Sequence, residues 1–178
     1  MQVVVMGVTG VGKTTVGRLI AQRLGARFVD ADDFHPPENV AKMRAGIPLD
    51  DDDRQPWLAA LNAHLREAAH RGDSVVLACS ALKSMYRERL REGVAALRFV
   101  HLVGARELIA ERLGARAGHY MNPALLDSQL ATLECPDDAL IVDIGPAPEE
   151  LANAVCANLA CVQAMSPSPT SPTFSRQP

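Results

Sequence analysis

Gly7-Val8-Thr9-Gly10-Val11-Gly12-Lys13-Thr14 carries the residue types that phosphate chemistry needs, at the spacing G-x-x-x-x-G-K-S/T. Gly7, Gly10 and Gly12 allow backbone conformations that side chains forbid, so successive N–H groups can turn inward onto an anion. A helix beginning near Lys13 would add its positive end and its unpaired N–H groups. Lys13 offers a charge for β- and γ-phosphates, and the Thr14 hydroxyl suits Mg²⁺, a hard ion that prefers oxygen ligands. The flanks fit the same reading. Val3-Val4-Val5-Met6 is an apolar, β-branched run, as in a buried parallel strand, and Val16, Leu19, Ile20 and Leu24 form one face of a helix with Arg18, Gln22 and Arg23 opposite. Strand, glycine loop and helix together predict a nucleoside triphosphate site.

The elements that must position this loop alternate. Strands are expected at Val3–Met6, Arg27–Val29, Ser74–Cys79, Arg98–Val103 and Leu140–Ile144. Helices are expected over 13–24, 38–45, 54–70, 83–92, 105–115, 124–132 and 149–164, with Gly25 stopping the first and an aspartate of the run Asp50–Asp53 capping the third. Pro56 falls in the expected first turn of that third helix, where proline is tolerated. Short apolar strands separated by helices imply a parallel five-stranded sheet with helices on both faces, and ligands in such sheets sit at the carboxyl ends of the strands. That edge gathers the Gly7–Thr14 loop, Asp30–Asp32, Ser80 and the residues after Val103.

At 178 residues the chain suits one domain with a proper core. A formal net charge of −3 gives no basic footprint for nucleic acid. No apolar run approaches the ~20 residues that span a bilayer, and the start of the chain lacks a charged n-region. The four cysteines, Cys79, Cys135, Cys156 and Cys161, have no C-x-x-C spacing and read as reduced thiols of a cytoplasmic protein, Cys79 as a small core residue. The segment 165–178 is rich in Ser, Pro and Thr without apolar periodicity and is expected to be a disordered tail. The domain is therefore placed at 1–164.

The loop alone does not separate kinases from other nucleotide hydrolases. Small size argues against motors and transporters, and no N-K-x-D guanine reader is present. The strand ending at Cys79-Ser80 lacks the acid that many ATPases keep there, so Asp30 or Asp32, after the second strand, has to supply it. This pattern points to a small-molecule kinase.

Several blocks, in this order, resemble the gluconokinase family: the Gly7–Thr14 loop, Asp30-Ala31-Asp32-Asp33-Phe34-His35-Pro36, Asp51-Asp52-Asp53-Arg54-Gln55-Pro56-Trp57-Leu58, Cys79-Ser80-Ala81-Leu82-Lys83 with Tyr86-Arg87, Gly118-His119-Tyr120-Met121, and Gln129 with Thr132-Leu133-Glu134. The resemblance spans residues 1–164. Its departures at Thr9, Val11 and Thr14, often serine in the family, and at Asp50, often asparagine, remove no chemical capability. It implies a three-layer P-loop fold like that of nucleoside monophosphate kinases, with a mobile lid (about 112–128), a homodimer, and transfer of phosphate from ATP with Mg²⁺ to D-gluconate. A kinase of the same fold for shikimate or a nucleotide is the alternative, and a non-catalytic nucleotide-binding regulator a more distant one.

For that chemistry, Asp32 is assigned to orient the acceptor hydroxyl and take its proton, and Asp30, with Thr14, to the metal; the two aspartates can exchange roles. An Asx turn or helix cap after the strand would equally explain either one. A sugar-acid site also needs a cation for the carboxylate. Arg54, Lys83 and Arg87 are candidates, with His35, Tyr86 and His119 as hydrogen-bonding partners. Lys83 and Arg87 are i, i+4 and can point from one helix face; a solvated face is the competing view, and for Arg54 a salt bridge to its own aspartate neighbours. Arg112 and Arg116, also i, i+4, precede a glycine-containing stretch with the composition of a lid that closes over phosphates. Trp57 is expected to pack rather than stack on a base, and the adenine pocket to lie near the lid helix and the loop after Ile144.

Overall fold

In the computed structural model, which describes residues 1–115 and 123–165, the chain alternates strand and helix almost throughout. The strands are β1 (Gln2–Met6), β2 (Arg27–Asp30), β3 (Val75–Ala78), β4 (Leu97–Val103) and β5 (Leu140–Asp143). The helices are α1 (Lys13–Leu24), α2 (Pro37–Arg44), α3 (Asp51–Arg71), α4 (Ser84–Arg91), α5 (Arg106–Gly114), α6 (Pro123–Thr132) and α7 (Pro148–Met165). The strands form one parallel sheet in the order β2-β3-β1-β4-β5.

The run Val3-Val4-Val5-Met6 is wholly apolar because β1 lies at the centre of this sheet and is covered on both faces. Val3 and Val5 turn to one layer, where they meet Val16 and Ile20 of α1, Ile109 and Leu113 of α5 and Val155 of α7. Val4 and Met6 turn to the other, against Leu58, Leu61 and Leu65 of α3 and Leu90 of α4. The expected three-layer α/β architecture is the one found.

Register brings the functional segments to one edge. Val5 lies opposite Ala78, and Ala78 opposite Asp30. The loops leaving β1, β2 and β3 therefore start side by side, and Gly7 N donates to Ser80 O at 3.3 Å across two of them.

Two local expectations change. The helix expected from Arg54 starts at Asp51, which puts Pro56 inside it rather than in its first turn. The cause is a capping box: Asp50 accepts from Asp53 N at 2.8 Å, and Asp53 Oδ2 accepts from Asp50 N at 3.2 Å. Capping free energy at that end offsets the backbone bond that Pro56 cannot make to Asp52. After β2, Ala31–Phe34 forms a 3₁₀ turn where no regular element is expected, with the Asp30 carboxylate accepting from Asp32 N at 3.2 Å. The strands also stop short of Ser74, Cys79 and Ile144.

α3 and α4 are joined by a buried amide. Asn62 Nδ2 donates to Leu90 O at 3.0 Å and to Glu92 O at 2.8 Å, satisfying carbonyls at the end of α4. Asn62→Ala is expected to strand both carbonyls and to lower stability by roughly 1–3 kcal/mol. A lower urea midpoint at unchanged slope is the expected signature.

Candidate active site

The loop after β1 takes the shape its glycines permit. Gly7, Gly10 and Gly12 have φ of 137°, 83° and 90°. Space is as restrictive as conformation at Gly7 and Gly10. A Cβ on Gly7 would lie 2.7 Å from Leu102 O, and one on Gly10 2.7 Å from Leu113 Cγ and 2.9 Å from Ile109 Cγ2. Val8 and Val11 bury their side chains in the core, which anchors the loop while its backbone faces outward. Lys13 Nζ donates to Val8 O at 2.9 Å, lying back across the loop.

Beside the loop, Thr14 Oγ1 donates to Asp30 Oδ2 at 3.1 Å. Asp30 thus does two things: one oxygen caps the 3₁₀ turn through Asp32 N, and the other faces Thr14. The cap on the 3₁₀ turn is the Asx-type role expected of Asp30. Thr9, Lys13, Thr14, Asp30, Asp32 and Gln129 are among the residues lining one cavity of about 270 Å³. Ser80 and Cys79 also line it, and burial pushes the Cys79 thiol pKa up to about 12, so it is no nucleophile at neutral pH.

Asp32 is open to this cavity, yet the protein around its carboxyl removes enough water to raise its pKa above the ordinary carboxylate value. The Asp30 charge pushes the same way, and His35 and Lys13 oppose it. His35 itself is held below its usual pKa by desolvation, with Arg54 adding to the effect and Asp32 opposing it. Its ring stacks on Trp57 at 4.5 Å with an interplanar angle of 8°. Trp57 packs as expected: it is buried, and its Nε1 donates to Ala31 O at 2.7 Å. The stack fixes the ring at the C-terminal end of the turn that carries Asp32.

A second cluster stands at the start of α3. Asp51 accepts from Lys83 Nζ at 2.6 and 2.7 Å and from the Tyr86 hydroxyl. These bonds hold the Asp51 carboxyl below the usual carboxylate range. The Arg54 guanidinium lies 5.8 Å from the Tyr86 ring centroid, so its contact is aromatic and no ion pair with its aspartate neighbours is recorded. Asp53 binds Lys42 at 2.6 Å, and Asn39 Nδ2 donates to Asp53 O at 2.8 Å. Among the described residues the aspartate run is used for capping and ion pairing, and no cluster fit for a metal ion is found.

Arg87 does not join this group. Lys83 precedes α4 and reaches Asp51, whereas Arg87 is buried and its Nη1 donates to Ala81 O and Leu82 O, both at 3.0 Å. The i, i+4 spacing fails because only Arg87 is within the helix; Lys83 is its cap. Arg87 instead holds the β3–α4 loop, where Ala81 sits at a φ of 44°. Arg112 also turns elsewhere, donating from Nη2 to Ile144 O at 2.8 Å. That contact joins α5 to the loop after β5, the two segments expected to border the adenine. Arg116 and His119 lie outside the described residues.

Two side chains make long-range contacts that no local sequence signal indicates. Gln129 of α6 accepts from Thr9 N at 2.7 Å, across 120 positions of chain. Glu134, just past α6, accepts from Ser84 N at 2.5 Å and donates from its own N to Leu82 O at 2.9 Å. Lys83 offers α4 no side-chain cap, so Glu134 supplies one from a distance. Neither contact has a local signature; only their membership of one motif block could have drawn attention to them.

Known proteins resemble this chain in sequence and fold. A family model described as an AAA domain matches residues 3–136. The gluconokinase of Gluconobacter oxydans (strain 621H) is 53% identical over 135 residues, covering 76% of this chain and 76% of that protein. This chain belongs to the gluconokinase family. The crystal structure of a gluconokinase from Sinorhizobium meliloti 1021 superimposes with a TM-score of 0.82 at 45% identity, covering 90% of this chain and 92% of that one. A sugar kinase from Janibacter sp. HTCC2649, in an unliganded crystal structure, gives 0.83 at 45% identity over 94% and 98%. Membership of this family makes the chain a P-loop kinase.

The loop's steric demand is directly testable. Gly10→Ala meets both the positive φ and the Leu113 and Ile109 side chains, and should cost about 1–3 kcal/mol of stability. The rise in Tm that ATP gives the wild type should disappear, as read by a thermal shift titration.

Proposed function

We propose that this protein transfers the γ-phosphoryl group of ATP to the 6-hydroxyl of D-gluconate, giving 6-phospho-D-gluconate and ADP. The observation that carries the reading is the sharing of one cavity by Lys13, Thr14, Asp30 and Asp32 in a chain 53% identical to a gluconokinase. In this reading the N–H groups of Val8, Gly10, Val11, Gly12, Lys13 and Thr14 and the Lys13 ammonium hold the phosphates, while Gly7 and Thr9, whose N–H groups donate to Ser80 O and Gln129 Oε1, fix the shape of the loop. The Thr14 hydroxyl and the Asp30 carboxylate, 3.1 Å apart, are hard oxygen donors of the kind Mg²⁺ takes. Bound there, Mg²⁺ would neutralise phosphate charge.

Asp32 accepts the proton of the attacking hydroxyl. Its surroundings raise the pKa of its carboxyl, chiefly by removing water, which makes the carboxylate a better base than a fully solvated aspartate. Arg54 and Lys83 are the cations for the gluconate carboxylate, and His35, Tyr86 and His119 bind its hydroxyls. Arg87, committed to the Ala81 and Leu82 carbonyls, acts by holding the loop that presents Lys83. Arg112 and Arg116 belong to a lid, about 112–128, that screens the phosphates from water. Residues 1–164 form the kinase domain and 165–178 a tail. The family resemblance supports a homodimer. Among the described residues no helix is long and apolar enough to cross a membrane, which agrees with a cytoplasmic location.

Coupled ADP-release assays across gluconate, other sugar acids, shikimate and nucleoside monophosphates test the acceptor. Gluconate should dominate; turnover of another acceptor in its place overturns the assignment. Asp32→Asn should lower kcat by about 10²–10⁴ while nucleotide affinity stays within a few-fold. Near-normal turnover would remove Asp32 as the base.

The pH profile carries the sign of the Asp32 shift. A raised carboxyl pKa means that the active, ionised form is lost on acidification earlier than for an ordinary aspartate near 3.9. The acid limb of kcat/KM should therefore lie above that value, and it should vanish from the residual activity of Asp32→Asn.

A further inference from the structure

Gln129 reaches the phosphate loop from α6, and the chemistry of its amide fixes which way it faces. The Thr9 N–H can only donate, so the atom 2.7 Å from it is the carbonyl oxygen Oε1. With Oε1 held, the Nε2 group is on the other branch of the same planar amide. Gln129 is half-buried and lines the cavity that also holds Lys13, Thr14, Asp30 and Asp32. Gln129 adds a side-chain amide donor to the hydroxyl-bearing residues Thr9, Thr14 and Ser80 that line the same cavity. Lys13 carries full charge, and the carboxylates of Asp30 and Asp32 can only accept. An amide donates without competing for the metal and without altering the charge that surrounds Asp32.

Position along the loop narrows the target. Thr9 lies between Gly7, which is tied to Ser80 O, and Gly10, which is tied by contact to α5. The amide therefore sits over the middle of the loop, on the side open to the cavity.

We propose that Gln129 is a catalytic residue whose Nε2 donates a hydrogen bond to a non-bridging oxygen of the phosphoryl group as it is transferred. The bond to Thr9 pre-orients the amide, so little reorganisation is needed as negative charge redistributes in the transition state. Gln129 exchanges no proton and forms no covalent bond. The inference rests on the proposed phosphoryl transfer and adds a group to it.

Two substitutions separate donation from bracing. Gln129→Ala removes both bonds; Gln129→Glu keeps an acceptor for the Thr9 N–H and removes the donor. Kinetics with ATP and gluconate, ADP affinity alone, and ADP affinity with aluminium fluoride and gluconate are compared with the wild type, folding being checked by circular dichroism. Both variants should lose about 10²–10³ in kcat, the range for removal of one transition-state donor. Gln129→Ala should bind ADP within about threefold of the wild type yet lose the tightening that aluminium fluoride confers.

Activity restored by Gln129→Glu, kcat within about threefold in Gln129→Ala, or a parallel loss of kcat and ADP affinity in Gln129→Ala would each show a brace and overturn the proposal. Should Gln129→Ala not fold, Gln129→Glu with intact kcat still overturns it. Failure of the wild type to phosphorylate gluconate counts against the function and not against Gln129, because the aluminium fluoride arm and slow acceptor-independent ATP hydrolysis still report on the donor.

Discussion

The carboxyl end of β1 has no room for side chains. Leu102 O crowds Gly7 from β4, and Leu113 and Ile109 crowd Gly10 from α5. This steric constraint reserves two positions for glycine, and the positive φ values at Gly7 and Gly10 accompany it, while Gly12 takes a positive φ in open space. Burial makes the constraint rigid. Val8 and Val11 are held in the same core as Ile20 and Leu102, so the loop cannot relax outward without exposing apolar surface.

From that point the sheet order does the rest. With β3 between β1 and β2, the loops after all of them open onto one edge, and the residues on them meet through single hydrogen bonds: Gly7 to Ser80, Thr14 to Asp30, Thr9 to Gln129. Asp51 performs a similar task at the start of α3, where it gathers Lys83 and Tyr86. Its charge both orients Lys83 and partly neutralises it, so under the proposed function a substrate carboxylate would compete with Asp51 for that ammonium. Arg54 lies over the Tyr86 ring and, among the described residues, makes no ion pair.

Elements with strong local signals were legible in the chain. The buried strands, α1 between Gly12 and Gly25, and the phosphate loop follow from apolar runs, helical periodicity and glycine placement, which act within a few residues. The start of α3 was misread because Pro56 is a conspicuous signal for a first turn, whereas the reciprocal Asp50–Asp53 bonds that decide it are hidden in a run of like residues. Arg87 was misread for a different reason. Its sequence spacing from Lys83 is helical, but whether a side chain points to solvent or to the Ala81 and Leu82 carbonyls depends on a loop conformation that no periodicity encodes. The Gln129 and Glu134 contacts are long-range, and nothing near them in sequence announces a partner so far away.

A crystal structure with gluconate and a non-hydrolysable ATP analogue is the most direct measurement of the central claim, that Asp32 activates an acceptor hydroxyl facing the phosphate loop. It should show the gluconate 6-hydroxyl within ~3.2 Å of an Asp32 carboxylate oxygen and in line with the γ-phosphate. Gluconate bound with that hydroxyl turned away from Asp32, or a different group closer to it, would contradict the account.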